Sequence, residues 1–328
     1  MFELHEIPVS SALLRGNASG DPAERALTVL TPPKTAAAKP MPAIWMLSGF
    51  GSSAGSFLAN DPWKEGLAQR AHRLWARGDL PDVRLVLPDL FTRFGGSQMI
   101  DSTATGPYER HLWEELLPLL EATFQTSAHG ACGHSSGGFG ALVQAMRHPE
   151  IVRAAACHAG DMLFELAYLP DFPRAAAQLK KEGGAARLLD AFLASPNKQD
   201  RRWMSAMNVL AMAACYSPNP RSPLGLDLPF DEETCELEDS VWARWLAWDP
   251  VRMIERPEPR EALSSLALLF LDAGTRDEWN LQWGARAFAR KLRTHGIAHV
   301  FEEFDGGHTG ATYRFDRSLP LLARALAR

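Results

Sequence analysis

Gly130-Ala131-Cys132-Gly133-His134-Ser135-Ser136-Gly137-Gly138-Phe139-Gly140-Ala141-Leu142-Val143 decides how this chain is read. It contains Gly-x-Ser-x-Gly with a short apolar lead-in and a run of small residues behind it. That context predicts a serine at a tight turn from a strand, Gly130 to Gly133, into a helix, Ser136 to Met146. Small residues let such a helix start close to its sheet. An isolated serine hydroxyl is a weak nucleophile at neutral pH and needs a base, so the reading turns on what else the chain supplies.

Working outward, short apolar runs alternate with helical patterns. Strands are expected at Ala26 to Thr31, Ala43 to Leu47, Val83 to Leu87, Val152 to Cys157, Leu266 to Leu271 and His299 to Phe304. Helices are expected at Pro62 to Trp75, at Tyr108 to Phe124 with a kink at Pro118, at Leu281 to Arg293 and at Leu319 to Leu326. Pro32 to Pro42 and the Gly/Ser stretch Ser48 to Ser56 read as loops. Such alternation predicts an α/β fold with a mainly parallel central sheet covered by helices.

After Gly160 the alternation stops. Residues 161–260 read as a mainly helical, cap-like insertion within one domain spanning 1–328. Helices are expected around Phe172 to Leu193 and Ser205 to Tyr216, then a Pro-rich loop from Ser217 to Pro229 and a re-entry loop at Arg256 to Glu261. The insertion carries Phe164, Tyr168, Phe172, Trp203, Met204, Met207, Met212, Tyr216, Trp242, Trp245 and Trp248. These can form the core of a helical cap or line a substrate pocket, and the two uses are compatible.

Composition narrows the class. Apolar residues make up 46% and charged residues 22% of 328, as in ordinary globular chains. A net charge of -5 with no long basic stripe argues against nucleic-acid binding. The first ten residues show no basic start with an apolar run behind it, and no stretch reaches membrane-spanning length. Cys132, Cys157, Cys215 and Cys235 form neither a CxxC pair nor a disulfide framework. A cytoplasmic, reducing setting is therefore expected. Neither HExxH nor GxGxxG after a strand occurs, so no metal and no cofactor are expected.

Two serines compete as nucleophile. Ser53 lies in Gly51-Ser52-Ser53-Ala54-Gly55, several residues beyond its strand, in a loop rather than at an elbow. Ser135 is preferred. Backbone N–H groups near Phe50, with that of Ser136, would then form an oxyanion hole. Among the histidines, His72 and His111 sit in expected helices, His148 precedes Pro149 and His134 flanks the serine. His158, at a strand end, is the strongest rival. His308 follows the last strand in Phe304-Asp305-Gly306-Gly307-His308, where a Gly-rich loop can carry an imidazole to the serine as general base. The orienting acid lies in Asp272-Ala273-Gly274-Thr275-Arg276-Asp277-Glu278. Asp277 is preferred for its place beyond the strand. Asp272 is expected to hold the turn through backbone N–H groups, and Glu278 to start the next helix.

Leu47-Ser48-Gly49-Phe50-Gly51, the Ser135 elbow, Gly274-Thr275-Arg276-Asp277-Glu278 and Gly306-Gly307-His308 together resemble the putative-esterase family of α/β-hydrolases. That family includes esterase D/S-formylglutathione hydrolase, feruloyl esterases, enterochelin esterases and mycolyltransferases. The first motif departs from it, with Ser48-Gly49 where many hydrolases have His-Gly, but a backbone donor at Phe50 survives the change. The resemblance implies the α/β-hydrolase fold, a Ser135–His308–Asp277 triad, backbone donors at Phe50 and Ser136, and a small-molecule ester as substrate. The expected activity is serine carboxylesterase hydrolysis through an acyl-enzyme. A thioesterase or acyltransferase would keep the same triad, and a non-catalytic binding protein would need it broken. Self-association as a homodimer fits such enzymes, though no surface stripe marks an interface.

Overall fold

The computed structural model describes residues 1–33, 40–60 and 62–328. Its strands are β1 (Glu3–Ser10), β2 (Glu24–Thr31), β3 (Met41–Leu47), β4 (Arg84–Pro88), β5 (Asp101–Ser102), β6 (Gly106–Pro107), β7 (Thr126–His134), β8 (Val152–His158), β9 (Leu268–Gly274) and β10 (Val300–Phe304). Eight of them form one sheet in the order β1-β2-β4-β3-β7-β8-β9-β10, and β5 pairs with β6 in a separate ribbon. β1 with β2 and β2 with β4 are antiparallel, and every later neighbour is parallel. The mainly parallel sheet expected from the sequence is present.

Parallel strands are buried on both faces, which is why their sequences read as short continuous apolar runs. The period of two still decides which side each residue serves. In β3, Ala43, Trp45 and Leu47 join one core, and Ile44 and Met46 the other. Helices Leu67–Ala76 and Phe315–Leu326 cover the second core, and helices Ser136–Arg147 and Leu281–Thr294 the first.

Several boundaries differ from the sequence reading. β1 was not expected; it is an edge strand containing Pro8, half-exposed and weakly apolar. The expected loop Pro32 to Pro42 falls partly on residues 34–39, outside the described residues, and its end already belongs to β3. The helix expected from Pro62 starts only at Leu67, after Gly66. The single helix expected over Phe172 to Leu193 is two, Phe172–Glu182 and Ala185–Ala194. Gly183 and Gly184 separate them, with φ of 85° and 107°. Arg256 to Glu261 is not a loop, because Pro257–Ser264 is helical, with proline in its first turn, where a missing N–H costs nothing. The helix from Tyr108 is continuous but widens to a π-helix over His111–Leu116, just ahead of Pro118.

The functionally important consequence is where the connections end. The loops after β3, β7, β8, β9 and β10 all leave the carboxyl ends of parallel strands. In open α/β sheets that edge is where ligands bind. The long connection from β8 to β9 is largely helical, and its aromatic side chains, including Phe164, Phe172, Tyr216, Trp242 and Trp245, extend the core on that face of the sheet.

Candidate active site

Ser135 sits between β7 and the Ser136–Arg147 helix with φ 61° and ψ −130°. A non-glycine residue rarely adopts such a backbone, and here the surroundings hold it. Its N–H donates to the His158 carbonyl at 2.9 Å, and its carbonyl accepts the Phe139 N–H at 2.9 Å. The glycines around it are sites of close approach. A methyl group on Gly137 would overlap the Leu47 carbonyl, and one on Gly138 would lie 2.8 Å from the His158 carbonyl. At Gly49, in the loop after β3, a Cβ would lie 3.1 Å from the His134 carbonyl oxygen, a tight approach that a small shift would have to relieve. The elbow expected from the sequence is thus packed backbone to backbone against two neighbouring strand ends.

His308 and Asp277 come together. His308 Nδ1 lies 2.8 Å from Asp277 Oδ2. Asp277 is buried, and its other oxygen accepts the Trp279 N–H at 2.9 Å, which fixes the carboxylate from its own loop. The two loops are also joined through backbone, with Thr275 N–H to Phe304 O and Arg276 N–H to Gly306 O, both 2.9 Å. Asp277 and His308 are therefore held on two loops that are tied together by backbone hydrogen bonds as well as by their side chains.

Glu278 does not serve as a simple helix starter. Its Oε2 accepts the His308 backbone N–H at 2.6 Å. Asp272 does not hold its turn through backbone N–H groups either. Its carboxylate pairs with His158 Nδ1 at 2.7 Å and Arg314 Nε at 2.8 Å. His158, the rival base, is 1% exposed, and its Nε2 lies 2.8 Å from the Ser318 hydroxyl. This second Ser/His/Asp grouping ties the last helix to β8 and β9 inside the protein. Ser53, the rival nucleophile, stands at the N-cap of the short helix Ala54–Leu58 and takes no part in the cavity wall described next.

A cavity of about 500 Å³ opens over the elbow. Ser135, Ser136, His308, Phe50 and Gly51 line its floor. Phe91, Phe94 and Trp279 add aromatic walls, and the β8–β9 connection adds Tyr168, Phe192, Trp203, Met204 and Met207. Of the aromatic and Met residues singled out in that connection, Tyr168, Trp203, Met204 and Met207 reach the cavity, Phe164, Phe172, Met212, Tyr216, Trp242 and Trp245 build core, and Trp248 packs half-buried against it. Tyr168, Trp203 and Met207 belong to the core as well, so the same residues pack the connection and face the cavity.

His134 packs its ring against that of His308, with centroids 4.4 Å apart. Burial, aided by the nearby imidazole of His308, holds His134 well below the usual histidine range, so it is neutral. Asp161 was not anticipated as a site residue, because a lone Asp after a strand gives no spacing signal. It lines the cavity and accepts hydrogen bonds from Ser136 Oγ and Tyr168 OH, both 3.0 Å. Among the described residues, no group of three or more His, Cys, Asp or Glu side chains is placed to hold a metal ion, and no helix is long and apolar enough to cross a membrane.

The sheet order, the strained serine at its carboxyl edge and the covering helices define an α/β-hydrolase. The family described as putative esterase matches residues 22–320, and the chain belongs to it. It is accordingly a hydrolytic enzyme of the esterase type. Solved structures with the same fold include a ferulic acid esterase, 19% identical with TM-score 0.61, covering 98% of both chains. An S-formylglutathione hydrolase from Agrobacterium tumefaciens is 16% identical with TM-score 0.59, covering 98% of this chain and 95% of its own. Fluorophosphonate-binding serine hydrolase F of Staphylococcus aureus is 12% identical with TM-score 0.58, covering 100% of this chain and 99% of its own. Among curated proteins, none matches the chain by sequence.

Proposed function

We propose that this protein is a serine carboxylesterase in which Ser135, His308 and Asp277 act as a triad. The observation that carries the reading is the pairing of a buried Asp277 with His308, which lines the same cavity as the strained Ser135. In this reading His308 Nε2 takes the Ser135 proton as Oγ attacks the ester carbonyl. The tetrahedral intermediate collapses with loss of the alcohol, which receives that proton. Water, deprotonated by the same imidazole, then attacks the acyl-enzyme, and the carboxylic acid leaves. Asp277 fixes the tautomer of His308 and stabilises the imidazolium.

The oxyanion donors are the backbone N–H groups of Phe50 and Ser136. Neighbouring amides are engaged elsewhere: Gly51 N–H donates to Gly95 O at 2.7 Å and Ser135 N–H to His158 O. Donors fixed before reaction favour the charged intermediate over the ester, which is where rate is gained. The whole chain then acts as one hydrolase domain, with residues 161–260 as an insertion roofing the site. A small ester fits the cavity volume, and a reducing cytoplasm suits the free cysteines, three of them buried.

The test compares an oxygen ester, a thioester and an anilide sharing one acyl group. The ester is expected to have the largest kcat/KM, and Ser135→Ala to abolish its turnover. A thioester preferred at least tenfold would move the assignment to thioesterase.

A further inference from the structure

We propose that Asp161 is a recognition point for a cation, and that the esters this site favours carry an ammonium group on the carbon next to the scissile carbonyl. The inference rests on the esterase reading above and concerns the substrate of that same site.

Asp161 is 6% exposed and forms part of the cavity wall with Ser135, Ser136 and His308. Its hydrogen bonds all fall on one oxygen. Oδ2 accepts from Ser136 Oγ at 3.0 Å, Tyr168 OH at 3.0 Å and Gln98 Nε2 at 3.3 Å. Each of these donors is neutral. Oδ1 is left for whatever occupies the cavity. Among the described residues Asp161 makes no ion pair, and the charge that favours its ionised form is that of the His308 imidazole when protonated. A carboxylate so far out of water is costly, and a bound cation offsets that cost. Burial, eased by those hydrogen bonds, raises the Asp161 pKa above the usual carboxylate range.

The other titratable groups on the wall have hydrogen-bond partners of their own, although the neutral carbonyls that Arg93 and Lys198 bond leave those two charges in place. Arg93 donates to Ser19 O at 2.8 Å and Lys198 to Ser195 O at 3.0 Å. Asp200 lies 3.3 Å from Arg202 Nε, and His308 is held by Asp277. Lys198 is exposed, so its charge belongs to the rim, whereas Asp161 lies beside the elbow. Aromatic side chains flank the space, Tyr168 and Trp279 among them, and aromatic faces accept a cation.

Position selects the acyl side. Asp161 is one hydrogen bond from Ser136, the residue after the nucleophile. An acyl group on Ser135 therefore starts beside this carboxyl. A bare carboxylate here would also oppose the negative charge building on the carbonyl oxygen. A substrate ammonium cancels that opposition, so recognition and rate are coupled.

Benzyl esters of alanine, lactate and isobutyrate test this, because they differ only in ammonium, hydroxyl or methyl at one carbon. Both enantiomers of the chiral pair are assayed on the full chain near pH 7, with Ser135→Ala as background. The alanine ester is expected to exceed the isobutyrate ester in kcat/KM by about tenfold or more, the scale of a hydrogen bond to a charged group. Asp161→Asn is expected to erase or reverse that ratio. An isobutyrate ester hydrolysed as fast as the alanine ester by the wild type overturns the proposal. So does an Asp161→Asn variant that loses all three activities in equal proportion, which would mark Asp161 as a positioning residue behind Ser136. If none of the three exceeds background, the esterase reading itself fails. Should Asp161→Asn not fold, inhibition of isobutyrate turnover by benzylammonium is compared with that by benzyl alcohol on the wild type. Stronger inhibition by the cation supports the proposal, and equal inhibition overturns it.

Discussion

Glu278 Oε2 accepts the backbone N–H of His308 at 2.6 Å, while the adjacent Asp277 holds the ring of the same residue. Two consecutive acids thus grip one histidine by two different handles. Glu278 also fills the space that a side chain on residue 307 would need, since a Cβ on Gly307 would lie 2.5 Å from its Oε1. Glu278→Ala is expected to lower kcat about ten- to a hundredfold with KM little changed, as His308 drifts from its position. Glu278→Gln keeps an acceptor and should recover most of that loss. Steady-state kinetics on both variants check it.

The two His–Asp pairs, one buried and one facing the cavity, should separate cleanly on mutation. Asp277→Asn is expected to reduce kcat by roughly 10⁴ with folding intact, through the wrong tautomer at His308. Asp272→Asn leaves His158 without its carboxylate and Arg314 with Glu302 alone. It should cost stability, about 3–5 kcal/mol, as when one partner of a buried pair is removed. Kinetics and urea denaturation on the same preparations distinguish the two.

Stability should also fall on the alkaline side. Burial works against the charged form of His158, but the charge and hydrogen bond of Asp272 outweigh it and hold its pKa up to about 9. An unfolded histidine titrates near 6.5. Below about pH 6.5 both states hold the proton and the contribution is complete; it declines as pH rises and is gone above the folded value. The loss is on the order of 3 kcal/mol. His134 has the opposite sign. Its depressed pKa makes stability fall as pH drops below about 6.5. Urea denaturation at pH 7 and pH 9.5 should show the alkaline loss in the wild type and a flatter response in His158→Gln; equal slopes would contradict it.

Gly137→Ala should damage the fold rather than the chemistry alone. The added methyl would overlap the Leu47 carbonyl, which belongs to β3 and cannot turn aside. A loss of about 3 kcal/mol or more is expected, at or beyond the upper end for overpacking. Thermal melting of the variant measures it.

Much of the candidate site's layout was legible because it is tied to backbone features that leave marks in sequence. Gly133, Gly137 and Gly138 are required by close approach, and Gly306-Gly307 by the loop carrying His308. The apolar runs of β3, β4 and β8 are imposed by burial on both faces. What escaped was set by long-range pairing. Edge strand β1 has no strong period of its own, Pro257–Ser264 is opened by the residue that usually signals a break, and Glu278 and Asp161 acquire their partners only on folding.

The central claim is that Ser135 is the nucleophile. The most direct measurement is incubation of the folded protein with a fluorophosphonate, followed by peptide mapping. One equivalent of label on Ser135, abolished by Ser135→Ala and greatly slowed by His308→Ala, is the predicted result. Label on Ser53 or another serine, or none on a protein that still hydrolyses esters, would contradict it.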